Sequence, residues 1–546
     1  MKAQTSTLAV LLLLVLPACP LAQNKDAKLP QPQEEREDLK GFRAEGGLVN
    51  VVEGEVVYLK QKKTSQTLKP QQELETGDEI QVGQNSYAEF LLNPGSYLRL
   101  SPRTRVRFLD LTPDNLKLKL LSGSVILETS ITRPRPESFT KPNQKQSTED
   151  VRDRFAGQYS SITVLTAQGD FVTAAGGLYR CDVDDDGRGS LKVLNGIAVV
   201  PGSLLSDGMR TALGDRVPVI ESFDTAREDS FDAWSHRRAI SLLDSNRSLR
   251  NTAWHTRLRK NHLSYLNIEY DERLDRMKQA MTVSVNPGTV AFAELGAEYQ
   301  TEGSPWKPLA ADAELKDGDR VRTGPDARVE IHIYPECYLL LSANAEIAYN
   351  TRRDQGVAAK LIQGSAIIVS TLPGSTGLVT SLIAPEGEIE IPTAGFYRLD
   401  VHPHRPSDLL VYQGSVTIRG RELTEGKRAV LSQNDFDSAV IRQMDIDPFE
   451  MWSRYRSSLL MQVLIRARRS GFVPAKELTK YEVDIFKHRK APPAAAHNIS
   501  SAGMWYLDPA AKAYTFVPGV WAFSPFGGDY LSPYGGEYAV SYRLHL

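Results

Sequence analysis

At 546 residues, with 41% hydrophobic and 24% charged residues, the chain has an ordinary globular composition and is too long for one common domain. Its formal net charge of -2 provides no overall attraction for nucleic acid or anionic lipid, so we expect no nucleic-acid partner. Composition therefore predicts a modular protein of several globular parts.

The amino-terminal residues have the three-part layout of a secretory signal. Lys2 precedes the apolar run LAVLLLLVL at residues 8–16, and small residues follow in PACPLAQ at residues 17–23. This apolar run is too short for a membrane-spanning helix, which needs about 20 residues. No later apolar stretch approaches that length. We therefore interpret residues 1–22 as a cleaved signal peptide and expect the protein to be exported.

The cleavage site has more than one interpretation. The stretch LPAC, residues 16–19, resembles a bacterial lipobox, in which Cys19 would be lipidated and become the new amino terminus, although Pro17 and Pro20 are atypical there. Ordinary cleavage after Ala22 would instead release a protein without a lipid anchor, and an uncleaved segment is the third alternative. All three place the body of the chain outside the cytoplasm, in the periplasm or on a membrane.

An internal duplication organises most of the chain. LETGDEIQVG at residues 74–83 recurs as LKDGDRVRTG at 315–324, an offset of 241. The same offset places SYAEFLLNPGSYLRLSPRTRVRF, 86–108, over ARVEIHIYPECYLLLSANAEIAY, 327–349. The shared Gly-Asp is typical of a turn that begins a strand, because glycine admits positive φ and aspartate bonds its own turn backbone.

The second half of the duplication has a different offset. Gly123 still matches Gly364 at 241, but a polar, proline-containing insertion at 132–154 reduces the offset to 218. Beyond it Tyr179 matches Tyr397, and Trp234 matches Trp452. Because Cys181 and Cys337 fall at different points of the repeat, we expect no shared disulfide geometry, although a bridge between them stays an alternative.

The hydrophobic pattern within each repeat is that of β-strands. Apolar and polar residues alternate over short runs such as Val82–Leu92 and Val329–Leu341, separated by Gly, Pro, Asn or Asp. We therefore predict two mainly β repeats, each a sandwich or a barrel. Each repeat ends on a helical pattern, since Trp452, Tyr455, Leu459 and Val463 share one helical face.

Four phrases occur in the same order in both repeats. In the first they are GDEIQVG, LLSGSV, AAGGLYRCDV and LNGIAVV, and in the second GDRVRTG, LIQGSA, TAGFYRLDV and YQGSVTI. This order resembles the FecR domain, a β-rich extracytoplasmic module of bacteria, over about two thirds of the chain. That family often has Gly-Thr before the aromatic strand, where this chain has Gly177-Leu178 and Gly395-Phe396.

The resemblance implies a fold more than a regulatory role. The best-known FecR proteins lie in the inner membrane, with a cytoplasmic segment that controls a sigma factor and a periplasmic part that senses an outer-membrane transporter. This chain has no candidate for the cytoplasmic segment or for the membrane helix. We therefore expect the FecR-like fold without direct control of a sigma factor.

The predicted segments follow from these boundaries. They are a signal peptide at 1–22, a first FecR-like β repeat at 48–230 with a loop insertion at 132–154, a helical connector at 231–280, a second FecR-like β repeat at 281–448, a helical segment at 449–490, and a linker with an aromatic Gly/Pro-rich module at 491–546.

The carboxy-terminal tail is rich in aromatic residues. Eleven of the 46 residues from 501 to 546 are aromatic, and SPFGGDYL at 524–531 is followed by the similar SPYGGEYA at 532–539. These aromatics could pack against each other or against a repeat, or they could form a stacking platform for a glycan or a partner protein. The candidates for stacking are Trp505, Tyr506, Trp521, Tyr530 and Tyr534.

The sequence contains no recognisable catalytic motif or zinc-binding spacing. DVDDDG at 182–187 imitates the start of a calcium loop, but its twelfth position is Val193 instead of glutamate, so we favour an acidic hairpin turn over a weak calcium site. His402 and His404 lack a third ligand nearby, and we expect them to face solvent. We therefore predict no cofactor, no metal and no enzymatic activity.

Together these features predict an extracytoplasmic binding or scaffolding protein of the bacterial envelope. Its partners would be an envelope protein or cell-wall glycan, with membrane association through lipidated Cys19 as a further expectation. A FecR-like sensor that acts through a separate membrane partner is the alternative.

Mass spectrometry of the mature amino terminus tests the signal interpretation. We expect the exported protein to begin either at a lipidated Cys19 or at a free Gln23, because cleavage follows small residues. An intact Met1 on protein recovered from the envelope would contradict cleavage.

Overall fold

The chain folds into two β repeats that are each followed by a helix, together with a small carboxy-terminal module. The computed structural model describes residues 47–530 except 61–63, 94, 113–114, 130–160, 175, 215–217, 250–251, 253–286, 335–336, 353–355, 371–378, 392–394, 434, 443–444, 458–503, 509, 519–521 and 527–528. The described residues belong to one compact unit, Phe42–Leu546. The predicted signal peptide, Cys19 and the insertion at 132–154 lie outside the described residues.

Among the described residues, the first repeat has sixteen strands and a helix. They are β1 (Leu48–Glu53), β2 (Val56–Lys60), β3 (Thr64–Thr67), β4 (Glu79–Val82), β5 (Tyr87–Leu91), β6 (Ser96–Leu100), β7 (Arg105–Asp110), β8 (Lys117–Thr129), β9 (Ile162–Leu165), β10 (Asp170–Thr173), β11 (Gly177–Val183), β12 (Gly189–Asn195), β13 (Ile197–Val200), β14 (Ser203–Ser206), β15 (Met209–Ala212), β16 (Ile220–Ser222) and α1 (Ser230–Ser248).

The second repeat and the tail follow. Their elements are β17 (Val290–Ala293), β18 (Ala297–Gln300), β19 (Lys307–Pro308), β20 (Arg320–Thr323), β21 (Val329–Tyr334), β22 (Cys337–Leu341), β23 (Glu346–Arg352), β24 (Gly356–Ser370), β25 (Val379–Ala384), β26 (Gly387–Ile391), β27 (Gly395–His402), β28 (Arg405–Gln413), β29 (Ser415–Ile418), β30 (Arg421–Thr424), β31 (Lys427–Leu431), β32 (Phe436–Val440), α2 (448–457), β33 (Met504–Asp508), β34 (Ala513–Val517), β35 (Ala522–Phe523) and β36 (Asp529–Tyr530).

The two repeats have the same strand topology. In the first, one path runs β3-β2-β4-β7-β8-β9-β10-β13-β14 and the other runs β1-β5-β6-β8-β11-β12-β15-β16. In the second, every strand pairs as its counterpart sixteen positions earlier does. The strands β8 and β24 belong to both paths, and side chains from both paths share one core, so each repeat is a folded two-layer sheet. The predicted pair of mainly β repeats is confirmed.

A glycine in the long central strand lets it pass from one layer to the other. Gly123 in β8 has φ +86° and Gly364 in β24 has φ +84°. A Cβ at Gly123 would lie 2.5 Å from Thr104 Cα, and one at Gly364 would lie 2.6 Å from Ala345 Cα. Both the left-handed conformation and the close backbone approach require glycine, which explains the glycine shared by LLSGSV and LIQGSA.

A second close approach explains the glycine before the aromatic strand. A Cβ at Gly177 would lie 2.0 Å from the hydroxyl oxygen of Tyr179, and the Gly395–Tyr397 pair repeats this at 2.4 Å. The Tyr179 hydroxyl lies 3.0 Å from the carbonyl oxygens of Ala174 and Ile197, which hold the ring in place. The tyrosine therefore folds over the glycine in both repeats.

The Gly-Asp phrase forms the predicted turn. Asp78 Oδ2 accepts a hydrogen bond from the Glu75 amide at 2.9 Å, and Asp319 Oδ2 accepts one from the Lys316 amide at 2.8 Å. The strands β4 and β20 begin directly after these aspartates. The turn interpretation is confirmed, because each aspartate side chain is bonded to its own turn backbone.

Each helix is attached to its sheet by the same ion pair. Arg238 of α1 donates to Glu89 of β5 at 2.8 Å, and Arg456 of α2 donates to Glu330 of β21 at 3.0 Å. These arginines and these glutamates occupy equivalent positions of the two repeats. Asp229 starts α1 with a capping box by accepting from two amides of the first turn.

Only part of the helical face predicted around Trp452 lies within the described residues. Trp452 and Tyr455 are buried as expected, whereas Leu459 and Val463 lie outside the described residues. Neither described helix combines the length and apolar composition needed to cross a lipid bilayer.

The two cysteines lie in separate cores. Cys181 packs in the first repeat and Cys337 in the second, and both are free thiols. Burial raises the pKa of the Cys181 thiol well above its usual value. The bridge between them, which the sequence left as an alternative, is absent.

Replacing Gly123 by alanine should destabilise the first repeat. The new methyl group would meet the Thr104 backbone and adopt a left-handed conformation, costing about 3 kcal/mol in the free energy of unfolding. Gly187→Ala is the matched control, because Gly187 has φ +79° but no atom within 4 Å of its Cβ position. Urea denaturation of both variants measures the difference, and equal losses would contradict the steric argument.

Candidate functional site

The two repeats meet at a junction built from the start of β8. Lys117 Nζ contacts Glu294 at 2.6 Å and donates to the carbonyl oxygen of Asp326 at 2.7 Å. Lys119 Nζ forms an ion pair with the Asp326 carboxylate at 2.7 Å. The lysines belong to the first repeat and the acidic residues to the second, so ion pairs cross the junction.

Asn115 is a hydrogen-bonding node of this junction. Its amide nitrogen donates to Glu294 at 2.9 Å and to Asp110 at 2.8 Å. Its carbonyl oxygen accepts from Trp452 Nε1 at 2.7 Å and from Arg328 Nη2 at 3.2 Å. Both polar ends of one buried amide therefore connect the first repeat to the second repeat and to α2.

Glu294 is a buried carboxylate between two cations. Arg328 lies 2.7 Å from one oxygen and Lys117 lies 2.6 Å from the other. Burial alone would raise the pKa of Glu294, but the charges and hydrogen bonds of Arg328 and Lys117 hold it at about 2. Burial and the nearby charge of Arg328 lower the pKa of Lys117 to about 8.

Apolar contacts extend the junction beyond the charged groups. Val172, Ala174, Ile197 and Val199 of the first repeat form one cluster with Ile446 and Met451, which surround the start of α2. The Gly202 amide also donates to the carbonyl oxygen of Ile446 at 2.8 Å. The junction therefore combines buried ion pairs with a packed apolar patch.

A cavity of about 480 Å³ lies at the junction and is lined by both repeats. Its lining combines hydroxyl and amide groups, paired charges and one aromatic ring. The first repeat provides Lys117, Lys119, Thr163, Leu165, Thr166, Ala167, Gln168, Gly169, Asp170 and Pro201, and the second provides Pro325, Asp326, Arg328, Ser342, Ala343, Asn344, Ser365, Arg398, Asp447, Pro448 and Phe449.

Asp170 of the first repeat and Asp447 of the second are both among the carboxylates that line this cavity. Burial raises the pKa of Asp170 to about 6, and the negative charge of Asp447 adds to the effect. Asp447 is itself paired with Arg398 at 2.6 Å. A carboxyl group that titrates near pH 6 can either accept or donate a hydrogen bond to a polar ligand.

The cavity suits a neutral polar ligand better than a polyanion. Its cations are already matched: Lys117 and Arg328 with Glu294, Lys119 with Asp326, and Arg398 with Asp447. The hydroxyl and amide groups of Thr166, Gln168, Ser342 and Asn344 are the types that bind sugar hydroxyls and peptide groups.

The predicted stacking residues do not form this site. Trp505 and Tyr530 are fully buried against the first repeat, which agrees with the packing alternative for these two residues. The Trp505 ring contacts Tyr97 edge-on at 5.0 Å, and the Tyr530 ring contacts Phe516 edge-on at 5.4 Å. Tyr506 is only partly buried, and Trp521 and Tyr534 lie outside the described residues.

The acidic stretch at 182–187 forms a hairpin turn between β11 and β12, as we favoured. Asp184 accepts from the amides of Asp186 and Arg188, and the Arg188 side chain pairs with both aspartates. His402 lies near Asp408 and Arg405 at the equivalent turn. Within the described ranges, no three His, Cys, Asp or Glu side chains converge as a metal site would need.

The sequence contains one signal for the junction that was not recognised as such: charged residues of one repeat at positions where the other repeat is uncharged. When the two repeats are aligned, Lys117 is equivalent to Ala358, and Arg328 is equivalent to Tyr87. A charged residue in one repeat at a position where the other repeat has an uncharged residue marks a contact that only one of the two repeats makes.

Comparisons with known proteins add little to this geometry. No protein-family model matches the chain, and no curated protein matches it. Two crystal structures of a "putative anti-sigma factor" from Parabacteroides distasonis are similar to part of it at 17% identity. One covers 29% of this chain and 64% of that chain with a TM-score of 0.20, and the other covers 27% and 60% with a TM-score of 0.19. The chain thus spans less than two thirds of either structure, and an overlap this weak transfers no function.

Replacing Glu294 by glutamine should weaken the junction in a pH-dependent way. Removing one partner of buried ion pairs should lower the free energy of unfolding by about 3–5 kcal/mol near neutral pH. Because the pKa of Glu294 is lowered from 4.5 to about 2, its contribution is complete above pH 4.5 and is lost as the pH falls toward 2. The gap between wild type and variant should therefore narrow on acidification.

The matched control is Glu298→Gln, which removes a half-exposed partner of Arg322 and should cost less than about 1 kcal/mol. Urea denaturation at several pH values measures both variants. A gap that stays constant from pH 7 to pH 2 would contradict the role given to Glu294.

Proposed function

We propose that this protein is a non-enzymatic binding or scaffolding component of the bacterial envelope, built on two FecR-like repeats. The observation that carries the proposal is the junction cavity, to which both repeats contribute side chains. A site divided between two repeats depends on their fixed arrangement, and the buried ion pairs of Glu294 supply that arrangement. Export by the amino-terminal signal would place the site in the envelope.

The chemistry of the cavity supports a hydroxyl-rich or peptide-like ligand. Hydroxyl and amide groups line it, while its cations are neutralised by neighbouring carboxylates. A strand of cell-wall glycan or a segment of an envelope protein has this chemistry. The Phe449 side chain, which also lines the cavity, adds an apolar group to this lining.

The proposal is tested by blocking the cavity without disturbing its ion pairs. Ala167 is an exposed alanine on the cavity wall, and Ala167→Trp should fill the entrance. We expect at least tenfold weaker retention on isolated cell-envelope material in a sedimentation assay. Ala310→Trp is the control, because Ala310 is equally exposed but does not line the cavity.

The material recovered with the wild-type protein separates two functions. Wall glycan or wall proteins, lost with Ala167→Trp, would support the scaffold. Recovery of a membrane signalling protein would favour the sensor that acts through a separate partner. Equal retention of Ala167→Trp and Ala310→Trp would show that the cavity is not the binding site.

A further inference from the structure

The carboxy-terminal tail is packed on the outer face of the first repeat. Its aromatic side chains Trp505, Tyr514, Phe516 and Tyr530 share one buried cluster with Leu48, Leu91 and Tyr97 of the sheet and with Leu242 and Leu243 of α1. We refer to residues 504–530 as the tail module and to these sheet and helix residues as the acceptor face. The contact has a continuous apolar core.

The acceptor face also recognises the backbone of the tail module. The Asn50 side chain accepts from the Tyr514 amide at 2.6 Å and donates to the Tyr514 carbonyl oxygen at 3.1 Å, as a neighbouring strand would. Asn246 of α1 donates to the Phe516 carbonyl oxygen at 2.8 Å. The Thr515 hydroxyl donates to the Leu242 carbonyl oxygen at 2.6 Å. Binding through the backbone selects an extended hairpin strand.

A buried ion pair lies beneath the loop of the tail module. Arg99 contacts Glu128 at 2.7 Å and Glu89 at 2.8 Å, and all three side chains are fully inaccessible to solvent. The Ser524 hydroxyl donates to Glu128, and the Phe526 ring lies 5.3 Å from the Arg99 guanidinium carbon. The tail therefore adds one hydroxyl donor to Glu128 and one aromatic ring to the surroundings of Arg99.

The second repeat shows which of these groups the fold itself requires. Glu89 and Tyr97 have the equivalents Glu330 and Tyr338, so both repeats share them. Three groups that bind the tail module are not shared: Asn50, Arg99 and Glu128 correspond to Ala291, Leu340 and Val369.

The same topology thus forms with apolar residues at the tail-binding positions. A buried ion pair is generally no more stabilising than apolar residues of similar size. Arg99 and Glu128 are therefore better explained by recognition of the tail module than by folding of the sheet.

We propose that the acceptor face is a recognition site for an aromatic β-hairpin, filled by the chain's own tail module and open to exchange with the tail of a second copy. In the sequence, 46 residues (458–503) separate α2 from the tail module, and at up to roughly 3.3 Å per residue a chain of that length is long enough to reach a neighbouring molecule. Because tail and acceptor face are different surfaces, exchange links copies head to tail into chains or rings. This inference does not depend on the junction cavity or its ligand.

The first experiment cuts the intact protein after folding. A specific protease site is inserted within the stretch 491–498, the full-length protein is cleaved, and size-exclusion chromatography follows the tail fragment. We expect the wild-type fragment to elute with the body of the protein. An excess of a synthetic peptide of residues 501–530 should displace it.

The decisive variant is Arg99→Leu combined with Glu128→Val, which copies the residues of the second repeat. It should keep the circular dichroism spectrum of the wild type yet release the cleaved tail fragment at least ten times faster. Asn50→Ala should weaken retention in the same direction. Retention of the fragment by the double variant, or its loss from the wild type, would overturn the recognition site.

The second experiment tests exchange between copies. Two full-length forms with different affinity tags are incubated together, and one tag is captured. We expect both forms to be recovered from the wild type, recovery to fall with the concentration of added 501–530 peptide, and none from the double variant. Absence of co-recovery from the wild type would overturn the exchange, whatever the first experiment shows.

Discussion

A carboxylate withdrawn from water must be matched by positive charge, and the arrangement of the two repeats depends on one such group. Glu294 is held by Lys117 from the first repeat and by Arg328 from its own repeat, so its burial is tolerated only when the repeats are joined. Trp452 and Asn115 connect this pair to α2. The junction cavity borders these contacts, since Lys117 and Arg328 also line it.

The duplicated construction makes each repeat an internal reference for the other. Features present twice, such as the glycine bends of Gly123 and Gly364 or the helix anchors Arg238 and Arg456, belong to the folding of the repeat. Residues found in one repeat but not at the equivalent position of the other mark a contact outside the repeat's own fold. Lys117 at the junction and Arg99 beneath the tail module are both of this second kind.

Much of the fold was predictable because local chemistry decides it. Alternation, turn residues and the recurring glycines predict strands and their order, and the Gly-Asp turns formed as expected. For Trp505 and Tyr530 the sequence left packing and stacking open, because aromatic residues in a glycine-rich stretch give the same pattern whether they contact solvent or a sheet; the structure shows both side chains buried. Their burial depends on the acceptor face, which is distant in sequence, as for Asn50 and Tyr514, 464 positions apart.

The sequence by itself determined the duplication, the mainly β character of both repeats, their closing helices and the glycines that bend the central strands. These follow from spacing and from steric rules that act within a few residues. Only the tertiary structure decided that the repeats share buried ion pairs, that a cavity lies between them and that the tail covers the first repeat. Such contacts join residues far apart in the chain, and no local pattern specifies which buried charge meets which partner.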